Sequence, residues 1–223
     1  MSNFPLIDET LHEQYGLPER PSGKIIAEDV DYSIYETYKG ERAEWVRGFL
    51  VEMSPVTVMH DEISGYLYLL LKAYVALNPV GIVRQAPFTM KLDAVRAGRE
   101  PDLMVILEGN PAKQTDTALI GPADLVIEIV SRESEERDYV EKRREYEIAG
   151  VREYWIFDPL RNTSLIYRRE GDEPYFKQVQ LDADGNLTTP LMPGLKLHVP
   201  ALWRMPLPDF MQVYDAVKAM LGK

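Results

Sequence analysis

The sequence predicts a single α/β domain built on a mixed β-sheet, and three observations predict it. Short apolar runs at 102–107, 125–130 and 154–157 read as strands buried on both faces. Ile63, Tyr66, Leu67, Leu70, Leu71, Tyr74 and Leu77 recur at i, i+3, i+4 and i+7, the spacing of an amphipathic helix. A second helical segment, 134–150, separates two of the strands, and that alternation favours helices packed on a sheet.

Taken in order, residues 1–24 carry Pro5, Pro18 and Pro21 without clean periodicity and read as an N-terminal extension. A short helix is predicted over 27–38, with Gly40 as its stop. Residues 44–53 read as two strands about a turn at Arg47-Gly48. After Pro55 comes the clearest helix, ended by Asn78-Pro79, whose stripe should lie across one face of the sheet. Strands follow at 82–86, 88–92, 102–107 and 125–130. Ser134 is a good N-cap for the next helix, with Glu135 and Glu136 in its positive first turn, and Gly150 stops it. The strand at 154–157 is closed by Asp158-Pro159. Leu165-Ile166-Tyr167, residues 175–179 and the turn Asp184-Gly185-Asn186 read as a peripheral C-terminal β-meander. A helix over 209–220 closes the chain. The expected division is an extension over 1–24, a main domain over 25–200, and a helical tail over 201–223 packed on that domain.

With 223 residues, 45% of them hydrophobic, the chain can bury one ample core. No apolar stretch approaches the roughly 20 residues that span a bilayer, and the start Met1-Ser2-Asn3-Phe4-Pro5 has neither a basic nor an apolar leader segment. The expectation is a cytoplasmic protein with no membrane partner. The absence of cysteine excludes disulfides, thiolate zinc sites and cysteine nucleophiles together. His12, His60 and His198 are too scattered to suggest an imidazole-rich zinc site. Any bound metal should therefore have oxygen ligands, which points to Mg²⁺, with Mn²⁺ as the other candidate. The net charge of −11 weighs against a nucleic-acid partner, although the local field is what decides, and Arg132, Arg137, Lys142, Arg143 and Arg144 gather near the candidate site. Acidic residues such as Asp8, Glu9, Asp182 and Asp184 collect toward the ends.

Two carboxylates stand out. Asp102 directly precedes the apolar run 103–107, and Glu128 sits in the middle of the run 125–130. An ionised carboxylate in such a strand costs several kcal/mol or more unless a positive group meets it. A divalent cation shared by Asp102 and Glu128 meets that need and creates a hydrolytic site. The main-chain carbonyl of Ile129 could complete the oxygen cage, Glu44 is a third candidate acid, and the following helix brings Lys142 back over the sheet. Taken alone, Asp102 and Glu44 read as strand-start acids. Lys142, four residues after Asp138 and three before Glu145, reads as part of an exposed ion-pair ladder. His60 can cap its helix, bond a substrate or do neither, while Tyr146, Tyr154 and Trp155 read as core.

The ordered set of motifs resembles the PD-(D/E)XK restriction-endonuclease-like nucleases and, more narrowly, the Uma2 family of endonucleases. The matching pieces are Glu44-x-x-x-Gly48-x-Leu50-Val51-x-Met53-Ser54-Pro55, His60, Pro101-Asp102, the run 125–131, Asp138, Lys142, Tyr146 and the run 150–158. The resemblance covers roughly residues 25–200. It implies a restriction-endonuclease-like fold, a mixed central sheet flanked by helices, and Mg²⁺-dependent hydrolysis of DNA phosphodiesters. Catalytic roles fall on Asp102, Glu128 and Lys142, and metal ligation on Glu44, Asp102, Glu128 and Ile129. His60, Arg143 and Arg144 are the expected substrate contacts, and a homodimer is the expected grip on a duplex. The superfamily usually places its lysine two residues after the glutamate, where this chain has Val130; the Uma2 pattern takes it from the next helix, which is Lys142. Arg47 and Phe49 stand where the family more often shows acidic or polar residues. The rival reading is a catalytically silent nucleic-acid- or protein-binding module on the same fold.

Overall fold

The computed structural model describes residues 15–171 and 173–223; residues 1–14 of the predicted extension, with Asp8, Glu9 and His12, lie outside them. In chain order the first half contains β1 (Ile25–Ala27), α1 (Tyr32–Tyr35), β2 (Ala43–Val46), β3 (Phe49–Glu52), α2 (Val58–Leu77), β4 (Gly81–Gln85), β5 (Thr89–Leu92), β6 (Ala97–Arg99) and β7 (Leu103–Leu107). Then come β8 (Lys113–Gln114), β9 (Ala118–Ile120), β10 (Leu125–Ile129) and a π-helical turn (Arg137–Lys142) that continues as α3 (Arg143–Ala149). The chain ends with β11 (Glu153–Asp158), β12 (Thr163–Arg169), β13 (Phe176–Val179), β14 (Asn186–Thr188), β15 (Lys196–His198) and α4 (Phe210–Met220).

Two sheets stack. The first is six-stranded, in the order β13-β12-β11-β10-β7-β4, and it is mixed because β10 and β11 run parallel. The second is seven-stranded, in the order β1-β3-β2-β6-β5-β9-β8. The period of two along the first sheet sorts its side chains. Leu103, Val105, Leu125, Ile127, Trp155 and Phe157 meet the apolar stripe of α2 and, from α4, Val213 and Val217. Met104, Val126, Tyr154 and Ile156 point the other way, onto Met90, Leu92, Ala97 and Leu119 of the second sheet and onto Tyr146. Each such aliphatic side chain stabilises the fold by about 1.5–3 kcal/mol when fully buried. Among the described residues no helix is long and apolar enough to cross a membrane.

The expected helix over 27–38 is helical only at Tyr32–Tyr35, and its first residue, Ala27, ends β1. Asp29 takes φ 56°, and Val30 is claimed by the hairpin, donating to the Gly48 carbonyl and accepting from the Trp45 indole. The hairpin turn itself is as expected, with Arg47 at φ 50° and Gly48 at φ 91°, the left-handed pair of a two-residue turn. The expected meander divides: β12 and β13 extend the first sheet at its edge, and β14 pairs with β15 as a separate ribbon. Helix α2 starts at Val58, capped by Thr57, whose side chain accepts the His60 N–H.

Candidate functional site: a carboxylate cleft between the sheets

The antiparallel register of β7 and β10 runs Val105↔Leu125, Met104↔Val126, Leu103↔Ile127. One step further sets Asp102 opposite Glu128, so the two acids share one end of the strand pair. Asp102 has left the ladder, and its side chain takes over: Oδ2 accepts the Ile129 N–H at 2.7 Å and meets His60 Nε2 at 3.1 Å. Glu128 lies on the face that meets the second sheet, where its strand neighbours Val126 and Val130 are core. Its Oε1 accepts from the Tyr146 hydroxyl at 2.9 Å and lies 2.9 Å from the Lys142 ammonium. In both acids these bonds fall on a single oxygen, and the second oxygen is the one that can serve a cation.

The helical segment after β10 supplies the opposing charges. Arg137, Asp138, Glu141 and Lys142 in the π-turn and Glu145 in α3 are all buried, while Val140 on the opposite side is 59% exposed. Charge therefore points inward here and an apolar side chain outward. The extra residue in a π-turn rotates side chains relative to an α-helix, and such turns recur at functional sites. Lys142 Nζ touches three carboxylates: Glu128 at 2.9 Å, Asp138 at 3.2 Å and Glu44 at 3.5 Å. Behind Glu44 the network continues to Arg99, which is wholly buried, reaches Glu44 at 2.9 Å and grips Glu145 through Nε and Nη2. Arg47 closes the line, 2.7 Å from Glu145.

These contacts set the protonation states. Burial opposes the Lys142 charge, but Glu128, Glu44 and Asp138 together hold the ammonium above its usual range. Burial pushes the Glu128 carboxyl up to about 8, since Asp138, Asp102 and Glu44 counteract the pull of a lysine it must share. Asp138 is pushed up by burial as well. Glu44 goes the other way: burial is outweighed by Lys142, Arg99 and Arg137, which hold it as a carboxylate. For His60, burial is outweighed by the bond and charge of Asp102, so its imidazolium form is favoured.

Asp102, Glu128, Ile129, Lys142, Asp138, Arg137, His60 and Arg42 line one cleft, with about 40 Å³ of free space. That volume takes roughly three water-sized groups. Among the described residues no three Asp, Glu or His side chains stand arranged to hold a metal. Two carboxylates with water and a carbonyl still suit Mg²⁺, which keeps much of its hydration. Asp138 Oδ1 is buried without a hydrogen bond despite its nearness to Lys142. That unbonded oxygen, with the free oxygens of Asp102 and Glu128, gives the cleft the oxygen donors a small divalent cation takes.

The structure thus brings together Asp102, Glu128, Ile129, Lys142 and His60. Glu44, expected as a metal ligand, instead stands behind Lys142 with Oε1 taken by the Glu100 N–H and Oε2 by Arg99. Arg143 and Arg144, expected at the substrate, lie elsewhere: Arg143 covers the Tyr167 ring at 5.4 Å, and Arg144 donates to the Tyr15 carbonyl. Lys142 is buried, not part of an exposed ladder. Ser134 occupies the cap position, its carbonyl accepting the Asp138 N–H, but its hydroxyl accepts from the Ser131 N–H. Arg99 and Arg42 were missed, and Arg137 and Asp138 were undervalued. The signal for the last two was the inward spacing 137, 138, 141, 142, 145, 146, which repeats like an apolar stripe but is written largely in charged residues.

Among solved structures the chain is similar to a protein from Anabaena variabilis ATCC 29413, described as a putative nuclease belonging to DUF820. The TM-score is 0.65 at 15% identity, over 78% of this chain and 97% of that one, a likeness that speaks for a shared restriction-endonuclease-like fold. No curated protein matches the chain. The model of the Uma2 family, described as "Putative restriction endonuclease", matches residues 29–200, a span that begins between β1 and α1 and contains every residue of the cleft. By that match the chain belongs to the Uma2 family.

Proposed function

We propose that the protein is a cytoplasmic Mg²⁺-dependent endonuclease that hydrolyses DNA phosphodiester bonds in the Asp102–Glu128 cleft, with Mn²⁺ as an acceptable substitute. One observation carries the reading: two acids, Glu128 and Asp102, stand opposite each other at one end of a strand pair, each bonded through a single oxygen, in a cleft with a fixed ammonium. Asp102, Glu128 and the Ile129 carbonyl would hold the ion. When bound, such an ion polarises the phosphoryl oxygen and lowers the pKa of a water.

The remaining work falls to the chain itself. Lys142 stays charged, so its part is donation to a phosphoryl oxygen and steadying of developing charge, not proton abstraction. Arg137 lines the same cleft, its Nε 3.9 Å from Glu44 Oε2 and without a hydrogen bond, and adds a second positive group for the phosphate. His60 fixes the Asp102 carboxylate through Oδ2. Glu44 is a positioning residue that holds Lys142 from behind. Cutting both strands of a duplex needs two clefts, which a homodimer supplies.

Supercoiled plasmid and linear DNA incubated with Mg²⁺, Mn²⁺ or EDTA test the reading. Cleavage that needs either ion and vanishes in Glu128→Gln is expected; intact DNA under every condition would overturn it. One observation favours the rival silent module: Lys142 and the Tyr146 hydroxyl both bond Glu128 Oε1, partners that suit a purely structural acid. Calorimetry separates the two, because a silent module takes up no Mg²⁺.

A further inference from the structure

Next to the carboxylate cleft lies a second cavity of about 210 Å³, and Arg42 belongs to the walls of both. Tyr32, Tyr35, Tyr38, Thr89, Glu41 and Glu100 are among its other walls. We propose that this cavity is a nucleobase subsite: it takes the unstacked base of a nucleotide adjoining the scissile phosphate, so the preferred substrate carries an unpaired nucleotide. The proposal rests on the endonuclease reading of the neighbouring cleft.

Chain geometry links the cavities. Glu100 lines one and Asp102 the other, with Pro101 between them. Two residues span at most about 7 Å, a stretch that one nucleotide step covers once its base has left the stack. Arg42 bridges the same gap. Its Nε is fixed on Glu100 Oε2 at 2.9 Å while the side chain remains 41% exposed, which leaves its terminal nitrogens for a backbone phosphate.

The chemistry of the walls selects the base over the phosphate. Glu36, Glu41 and Glu100 face a single cation, Arg42, so the cavity repels a phosphate and favours N–H donors such as exocyclic amines. The Tyr35 hydroxyl reaches Glu100 only at 3.4 Å and Thr89 only at 3.5 Å. Good O–H···O bonds are about 2.5–3.0 Å long, so these groups keep capacity for a closer partner. The aromatic surface is divided in use. Tyr32 is a fixed wall, with the Lys91 ammonium 4.4 Å from its ring centroid and Trp45 edge-on. Tyr38 is 40% exposed and free to stack, and it lies over Gly40, where a Cβ would fall 2.3 Å from its hydroxyl oxygen. The affinity of base–aromatic stacking does not come from phosphate neutralisation, which suits a chain of net charge −11.

The test uses two DNA duplexes at low salt, one fully paired and one with a single bulged 2-aminopurine as fluorescent probe. Titration in EDTA reads binding alone, and Mg²⁺ or Mn²⁺ then reads cleavage. The wild-type protein should bind and cut the bulged duplex in preference. Tyr38→Ala should weaken binding of that duplex roughly 5- to 150-fold, the effect of losing one base–aromatic stack. Tyr38→Phe should retain most of it, and because Tyr38 is exposed neither change should alter the melting temperature. If no DNA is cut with either ion, the endonuclease reading falls, and the titration in EDTA still judges the subsite. Equal binding of the two duplexes by the wild-type protein, or unchanged binding of the bulged duplex by Tyr38→Ala, would overturn the proposal.

Discussion

Replacing Glu128 by glutamine keeps the side chain's shape and removes its charge, so it isolates the electrostatics of the cleft. In the folded protein the carboxyl is pushed up to about 8 by burial, with Asp138, Asp102 and Glu44 adding to it against Lys142. The unfolded value is near 4.5. A folded value above the unfolded one means a stabilising contribution that is complete below pH 4.5 and lost as pH rises through 8. At about 1.4 kcal/mol per unit, the ceiling on that loss is about 5 kcal/mol. Glu128→Gln has no proton to lose. With about 2–4 °C of melting temperature per kcal/mol in a domain of this size, the ion-free wild-type protein should fall behind the mutant by up to about 10–20 °C between pH 5 and pH 9. Mg²⁺ should restore the wild-type protein at the higher pH through linkage and leave the mutant unmoved. Thermal unfolding across pH, in EDTA and in Mg²⁺, measures both effects. If Glu128→Gln melts several degrees below the wild-type protein at about pH 9 in EDTA, Glu128 is an ionised structural partner of Lys142, and the reasoning fails.

Asp102→Asn keeps an oxygen for the Ile129 N–H but loses the charge, so it should abolish the Mg²⁺-induced rise in melting temperature; a persisting rise would put the ion elsewhere. Lys142→Ala leaves Glu128, Glu44 and Asp138 facing one another, at a cost of about 3–5 kcal/mol in the ion-free protein. Mg²⁺ should recover part of that stability, while cleavage falls on the order of 10²–10⁴-fold, as for loss of an electrostatic or acid–base group. Arg137→Ala should raise KM for DNA and flatten its salt dependence, whereas Arg143→Ala, whose side chain covers Tyr167, should do neither. Kinetics at two salt concentrations separate the two arginines.

What could be read from the sequence follows the range of the interactions involved. Strands β7, β10 and β11 and helix α2 announce themselves because their apolar periods are local and uninterrupted. The hairpin was legible because Gly48, which takes a positive φ at no steric cost, interrupts two short apolar runs. Glu128 was legible as an anomaly, a charge among branched aliphatics. Strand β6 was not: Ala97, Gly98 and Arg99 carry no apolar pattern, and the strand exists because β2 and β5 pair on either side of it. Residues 27–38 have helix-compatible composition, yet Trp45 and Gly48, far along the chain, claim Val30 for the hairpin. Tertiary contacts of this kind override local preference.

The charged side of the site was hidden for a deeper reason. Patterning assumes that charge faces water, so Arg99, Glu141, Lys142 and Glu145 all read as surface. In the structure each is buried because a partner from another element meets it. Asp102 and Glu128 come from the first sheet, Glu44 and Arg99 from the second, and Asp138, Lys142 and Glu145 from the helical segment between β10 and β11. None of these charges is tolerable until all three elements have docked, since a single unpaired buried ion costs several kcal/mol. The cleft is therefore assembled by the same packing that stacks the sheets. Arg47 makes this coupling measurable: it touches only Glu145 in the ion network, and Glu145 orients Arg99, which holds Glu44 against Lys142. Arg47→Met should consequently lower both the melting temperature and the rate of cleavage, although it contacts neither carboxylate that would hold the ion. A rate that stays at the wild-type level while stability falls would show that the network supports the fold alone and does not position Lys142.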